Sequence, residues 1–241
     1  MIARCVSLHA ERLERDDVWH RTDAFLHRLE RRGGRATVFV HPRSAIAAGV
    51  ELRSKIGVLL DRGHEIGQHT HFYADDGAVG KPQTTDLSPE NVRRCLDRDH
   101  RYLIDAGVDP RGFVAGAWAI VDEVTPWLRD HEFTYDASVR AFPLSYESGD
   151  ASRGDGWTAA EIEHGIVRLP TTAPVSRAVR GRAPRARVAD TEYELLYLHD
   201  YDLMRARTRL AAAALLLTST RARWTTAGEL AALAMKERAT S

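Results

Sequence analysis

Cysteine and lysine are scarce in this chain of 241 residues, and long apolar runs are missing. The two cysteines, Cys5 and Cys95, are too few for a disulfide scaffold or a thiolate-rich metal site, so buried, reduced thiols are expected. Lysine occurs only as Lys55, Lys81 and Lys236, so nearly all of the 34 basic residues are arginine. They are balanced by 34 acids, and a net charge of zero gives no pull toward nucleic acid or an anionic membrane. No stretch approaches the roughly 18 apolar residues of a membrane span. The greasiest segment, Ala211 to Leu217, is bracketed by Arg207, Arg209 and Arg221 and is expected to be a buried helix. Met1-Ile2-Ala3-Arg4-Cys5 lacks a cationic lead and an apolar run, so no secretion signal is read and a cytoplasmic protein is expected.

What is present is an alternation of short apolar runs and helical patterns. Strands are expected over Ile2–Leu8, Ala36–Val40, His64–Gln68, Arg111–Val114, Phe133–Tyr135, Ile166–Leu169 and Leu195–Leu198. Helices are expected over Asp17–Arg32, Leu52–Leu60, Val121–His131, Tyr201–Thr218 and Thr226–Glu237. Another opens at Ser88-Pro89, with serine as N-cap and proline at the first helical position, and Gly107 stops it. Ser145–Trp157 and Arg177–Arg187 read as loops. The pattern calls for one α/β domain over residues 1–241, its parallel sheet either closed as a barrel or open and doubly wound. In both, chemistry collects at the C-terminal ends of strands.

Three such ends carry histidine: Leu8-His9-Ala10-Glu11, Gln68-His69-Thr70-His71 and Tyr197-Leu198-His199-Asp200. Residues i and i+2 of an extended end share a face, so His69 and His71 can address one cation, with a Glu11 carboxylate completing the set. Asp75 and Asp76 compete for the carboxylate role. The plainer alternatives are a surface His-x-His pair, a capping Glu11, and a structural His199 held by a local acid.

The ordered motifs resemble those of the polysaccharide deacetylase superfamily, carbohydrate esterase family four. Gly63-His64-Glu65-Ile66-Gly67-Gln68-His69-Thr70-His71 is similar to its ligand-histidine motif, and Gly33 to Val40 to its Gly-x-x-Ala-Thr-Phe-Phe-Val strand. Leu198-His199-Asp200 resembles its late Leu-x-His-Asp motif. Phe113 to Trp118 and Phe133 to Val139 resemble a branch with Phe-Arg-Ala-Gly-x-Trp and Tyr-Asp-Ser-Ser-Val. The resemblance implies a distorted (β/α) barrel of about seven parallel strands. It also implies metal-dependent removal of acetyl groups from amino sugars.

On that pattern, Glu11, His69 and His71 hold a divalent ion, expected to be Zn²⁺, and His199 protonates the departing amine, its ring oriented by Asp200 or another carboxylate. His9 takes the base position or acts as a fourth ligand, while Trp118 and Tyr73 offer apolar walls to a small-molecule substrate. His41 and His164 are expected outside the site. The chain departs from the pattern in three places: His9-Ala10-Glu11 replaces the acid pair, Tyr73 occupies the usual second-histidine position, and Val114 replaces the arginine that pairs with the base. Loss of aspartate and arginine together is consistent with a neutral imidazole base, since losing either alone strands a charge. Two rival readings are a noncatalytic deacetylase-like binding or scaffold protein, and a metal-dependent hydrolase of a formamide or cyclic imide.

Overall fold

A computed structural model of the protein describes residues 2–74, 84–143, 154–181, 183–219 and 222–240. Its first half alternates β1 (Ala3–Ala10), α1 (Asp16–Glu30), β2 (Ala36–Val40), α2 (Arg43–Ala48), α3 (Arg53–Asp61), β3 (Glu65–Thr70), α4 (Pro89–Asp105), β4 (Gly112–Ala115) and α5 (Val124–Asp130). There follow β5 (Tyr135–Asp136), β6 (Glu161–Glu163), β7 (Ile166–Arg168), β8 (Ala173–Pro174), α6 (Val175–Ala178), β9 (Ala186–Val188) and β10 (Thr191–His199). The chain ends with α7 (Ala206–Thr218), β11 (Arg223–Trp224) and α8 (Ala227–Thr240).

The strands form one curved sheet in the order β6-β7-β5-β4-β3-β2-β1-β10-β8. Every pairing from β7 to β8 is parallel, while β6 and β9 pair antiparallel at the margins. Seven strands (β1 to β5, β7 and β10) therefore make the body of a distorted half-barrel with helices outside. This is the expected barrel rather than the open doubly wound sheet.

Side-chain alternation divides the core in two. Val6, Leu8, Val38 and Ile66 face outward and pack with Phe25, Leu26, Leu29, Leu59 and Leu215 of the helices. Cys5, Phe39, Val114, Tyr135, Val167 and Leu195 fill the barrel interior. Gly67 and Gly112 let the interior close, because a Cβ would stand 2.5 Å from Phe39 at the first and 2.1 Å from the Tyr135 ring at the second.

The bottom of the barrel is plugged by α8. Its first backbone N–H groups, at Ala227 and Gly228, donate to Thr37 Oγ1 (2.8 Å) and Glu65 Oε2 (3.0 Å). The Glu65 carboxylate also accepts from Thr37 Oγ1 (2.7 Å) and from the Tyr135 hydroxyl (2.8 Å). An anion at a helix N-terminus satisfies the free donors and the dipole together.

Several expectations are corrected. α7 is not fully buried: only Ala212, Leu215 and Leu216 are covered, while Leu210 and Leu217 are 72% and 63% exposed. Its alanine-rich sequence is apolar on all sides, so it does not announce which face packs. Arg177–Arg187 is not all loop, since it holds the end of α6 and begins β9. Ser88 precedes α4 in extended conformation without capping it by its hydroxyl; its own N–H donates to Asp86 Oδ1 at 2.9 Å. Both cysteines are buried and neither is in a disulfide, as expected.

Replacing Glu65 by Leu would strand the donors of Tyr135, Thr37 and Gly228 inside the barrel. Urea unfolding of Glu65→Leu should show a loss of roughly 2–4 kcal/mol.

Candidate metal centre

The C-terminal ends of β1, β2, β3 and β10 bring Glu11, His41, His69, His71 and His199 to one rim. In the sheet His9 lies opposite both Phe39 and His199, and His69 lies opposite Val114. The chain beyond β1 is pinned from two sides. Ser44 Oγ donates to the Glu11 carbonyl (2.7 Å), and Asp200 Oδ2 accepts the Arg12 N–H (2.7 Å).

Glu11 Oε1 stands 3.4 Å from His69 Nε2 and 3.3 Å from His71 Nε2. One ligand atom from each of the three lies within 4.8 Å of the others, the cluster of this kind among the described residues. The tautomer of His69 decides what these contacts mean. Its Nδ1 is 2.9 Å from the Val114 carbonyl, which can only accept, so Nδ1 carries the proton and Nε2 of the neutral ring is bare. In the neutral ring a bare nitrogen and a carboxylate oxygen then face each other across room for a cation, whereas a proton on Nε2 would make the contact an imidazolium–carboxylate pair. Two ligands at 2.0–2.1 Å in a tetrahedral site are about 3.4 Å apart. The residues fit a divalent ion.

Burial alone would raise the Glu11 carboxyl, but its contacts with His69 and His71 outweigh this and keep it ionised well below the usual range. Burial pulls His71 down to about 3, so at neutral pH the carboxylate faces an unprotonated ring. His9 is lowered well below its ordinary value, first by burial and then by neighbouring His69 and His199. Its Nε2 is buried without a hydrogen-bond partner among the described residues, and its ring lies 4.9 Å from His69 and 5.4 Å from His199. His9 is outside the cluster of three donors, which favours a base or positioning role over a fourth ligand.

His199 Nε2 is 3.7 Å from Glu11 Oε1, and its Nδ1 meets Asp202 Oδ2 at 3.1 Å. Burial opposes protonation of this ring, but the bond to Asp202 and the charge of Glu11 prevail and raise it above the ordinary value. The orienting carboxylate is therefore Asp202, not Asp200. Asp200 is turned inward, accepting backbone N–H groups of Arg12 and Tyr201, and burial pushes it up to about 6.

Tyr73 stacks on His71 (5.0 Å between ring centres, 10°), with the Arg43 guanidinium 4.6 Å from the Tyr73 ring. Trp118 is less open than expected. It is 5% exposed, lies 5.5 Å from His9, and packs edge-on against Tyr197 and Phe142. Ala117 and Trp118 both have left-handed backbone, at φ 53° and 58°. Ala115 N–H donates to Ser138 Oγ (2.8 Å), and Asp136 Oδ1 accepts Ser138 N–H (2.9 Å), so the loop carrying Trp118 is tied to the end of β5. Tyr201, which the motifs did not flag, stacks on His199 at 4.9 Å.

His41 was expected outside the site and instead lies within it, 5.0 Å from His71 and 5.7 Å from His69. His164 lies in the turn between β6 and β7, away from these residues. Asp75 and Asp76 fall outside the described residues.

Residues 13–135, half of the chain, match the family profile for polysaccharide deacetylase. The chain belongs to the polysaccharide deacetylase family. No curated protein matches it by sequence. Among solved structures it is similar to a candidate polysaccharide deacetylase from Mycobacterium smegmatis, at 15% identity and TM-score 0.62, covering 98% of this chain and 91% of that one. It is also similar to the peptidoglycan deacetylase PdaC of Bacillus subtilis, at 15% identity and TM-score 0.58, covering 99% and 94%. A third relative is a family 4 carbohydrate esterase pseudoenzyme from Bacillus anthracis, at 16% identity and TM-score 0.57, covering 95% and 65%. At such identities the likeness shows the shared fold. The family is one of metal-dependent deacetylases acting on carbohydrates, and no helix among the described residues is long and apolar enough to cross a membrane.

Gly116 tests the centre without removing a ligand side chain. A Cβ there would lie 2.1–2.4 Å from the His71 ring, which Tyr73 covers on another side. Gly116→Ala should weaken binding of Zn²⁺, measured by chelator competition, by more than about tenfold, with a stability loss of about 1–3 kcal/mol.

Proposed function

We propose that the protein hydrolyses an N-acyl bond, N-acetyl foremost, on an amino sugar or small sugar-like metabolite, with Glu11, His69 and His71 holding a divalent ion. The observation that carries this reading is the confrontation of the bare His69 Nε2 with the Glu11 carboxylate at 3.4 Å. Two imidazoles and a carboxylate suit Zn²⁺ best among common divalent ions. Such an ion, when bound, supplies polarisation of the acyl oxygen and acidity to water.

The chain's own groups divide the proton work. Water adds to the acyl carbon, the C–N bond breaks, and the nitrogen leaves with a proton from His199 Nε2. Asp202 holds that ring by Nδ1 and favours the protonated form before transfer. The neutral His9 ring takes the proton of the attacking water; its buried Nε2, which has no hydrogen-bond partner among the described residues, can accept it in the tautomer protonated at Nδ1. Val114 stands where the family pattern has arginine, so that position supplies no guanidinium to the ring, consistent with a base that is uncharged before it acts. Tyr73, Tyr201 and the narrow exposed edge of Trp118 offer apolar surface to a sugar ring.

The lowered basicity of His9 is the observation that favours the rival reading, a deacetylase-like protein that binds without turnover. Elemental analysis of the purified protein, followed by assays on N-acetyl, N-formyl and cyclic imide substrates, separates the readings. The proposal expects about one metal per chain, and loss of both metal and deacetylation in His69→Ala and His71→Ala. Absence of metal after reconstitution would sink it, and tight binding of an N-acetyl sugar without hydrolysis would establish the rival. Turnover of only the formyl or imide compound would keep the centre and change the substrate class.

The pH profile offers a sharper check. An acid must be protonated to act, so activity is lost as pH rises through the His199 pKa. Asp202→Asn removes the hydrogen bond that raises it. The alkaline limb of kcat should move to lower pH in Asp202→Asn, and an unmoved limb would remove His199 from the acid role.

A further inference from the structure

Neighbouring strands hold β1 as far as Ala10, whose carbonyl accepts the His41 N–H at 2.9 Å. The chain bends at the next residue, Glu11, beyond the end of the strand. A carboxylate on such a bend would have the freedom of a loop, whereas a metal centre needs its donors held to within about 0.5 Å.

The peptide joining Glu11 to Arg12 has no backbone partner for its carbonyl or its N–H among the described residues. Side chains take both. Ser44 Oγ, in the first turn of α2, donates to the Glu11 carbonyl at 2.7 Å; its other acceptor, Glu14 Oε2, is farther away at 3.0 Å. Asp200 Oδ2, just past the end of β10, accepts the Arg12 N–H at 2.7 Å. The C=O and N–H of one peptide unit lie in one plane. Bonds at both ends fix that plane, and with β1 holding the other side of Cα they set the direction in which the Glu11 side chain leaves the main chain.

Asp200 is fully buried, and its second oxygen, Oδ1, accepts the Tyr201 N–H at 2.7 Å. With a donor at each oxygen, a carboxylate serves both, whereas an amide would turn its own hydrogens on one of them. A buried acid met by main-chain donors alone is costly to keep. The donors it holds are those beside Glu11 and His199.

We propose that Ser44 and Asp200 are positioning residues of the metal ligand Glu11: they grip the carbonyl and the N–H of the Glu11–Arg12 peptide and so aim the carboxylate at His69 and His71. Asp200 directly follows His199, so the same grip sets Glu11 against the ring that donates the proton, whose Nε2 stands 3.7 Å from Glu11 Oε1. This rests on the metal-centre reading above and adds two residues from outside the ligand set.

The test is a Co²⁺ titration of the apoprotein, followed by its visible absorption band, with Zn²⁺ affinity from chelator competition. Wild type, Ser44→Ala, Asp200→Ala and Asp200→Asn are compared, and the melting temperature of each apoprotein is recorded. Ser44→Ala removes one hydroxyl from a half-buried position. Asp200→Ala removes both acceptors, and Asp200→Asn keeps an oxygen for the Arg12 N–H. Co²⁺ and Zn²⁺ binding should weaken by about tenfold in Ser44→Ala and about 10–100-fold in Asp200→Ala, the scale for losing a ligand's partner. Both should shift the Co²⁺ band, and Asp200→Asn should recover part of the affinity. Unchanged affinity and band in Ser44→Ala or in Asp200→Ala would overturn the proposal. So would losses of affinity that follow drops in apoprotein melting temperature with the band unmoved, since that marks packing alone. If Asp200→Ala does not fold, Ser44→Ala decides by the same readouts. Failure of the wild type to bind either ion would overturn the metal reading itself, and this inference with it.

Discussion

The centre depends on one hydrogen bond, from His69 Nδ1 to the carbonyl of Val114. Without it a neutral imidazole could place its one proton between Nε2 and Glu11, and the contact would be an ordinary hydrogen bond. With it, the neutral ring turns a lone pair toward Glu11 at the mouth of the barrel, and either a second proton or a metal ion must meet that pair. The bond runs between adjacent strands, so the sheet itself supplies the constraint. It also explains why the family's arginine position can be valine here while the neighbouring histidine stays fixed: the part that matters to His69 is main chain.

The motif that carries the resemblance does mostly architectural work. Within Gly63 to His71, only His69 and His71 face Glu11. His64 accepts the Ala36 N–H at Nδ1 (3.1 Å) and meets Glu30 at Nε2 (2.9 Å), joining β2 and α1 to the start of β3. Glu65 receives the N-terminus of α8, and Gly67 admits the Phe39 ring. A short string of residues thus closes the bottom of the barrel and arms its top, with a strand of alternating sides in between.

The parts of the site legible in the sequence were those that follow from alternation and strand ends. Glu11, His69, His71 and His199 stand at the C-terminal ends of parallel strands, and they do converge. His41 stands at the end of β2 on the same rim, so the same rule applied to that strand would have marked it; the adjacent Pro42 disguised it as a turn. The choice between Asp200 and Asp202 was not legible. It depends on a short 3₁₀ turn over Asp200–Met204 that puts residue 202 back against His199 and turns residue 200 inward. Nor was the packing of α7, whose leucines and alanines carry no helical period to separate a covered face from an open one. The seven parallel strands were readable because β-branched and aromatic runs alternate with helices. The marginal strands β6, β8, β9 and β11 are two or three residues long and lie outside the apolar runs that marked the equally short β5 and β7.

The left-handed backbone at Ala117 and Trp118 has a consequence for engineering. Each non-glycine residue held there costs on the order of 1 kcal/mol, and the network through Ser138 and Asp136 offsets that cost to keep an indole beside His9. Glycine or asparagine at 117 would relax the loop and raise thermal tolerance, yet it would also free the indole to wander. The cheapest route to a hardier protein therefore runs through the loop that holds Trp118 beside His9, and thermal tolerance is set against the order of the candidate site at two adjacent residues.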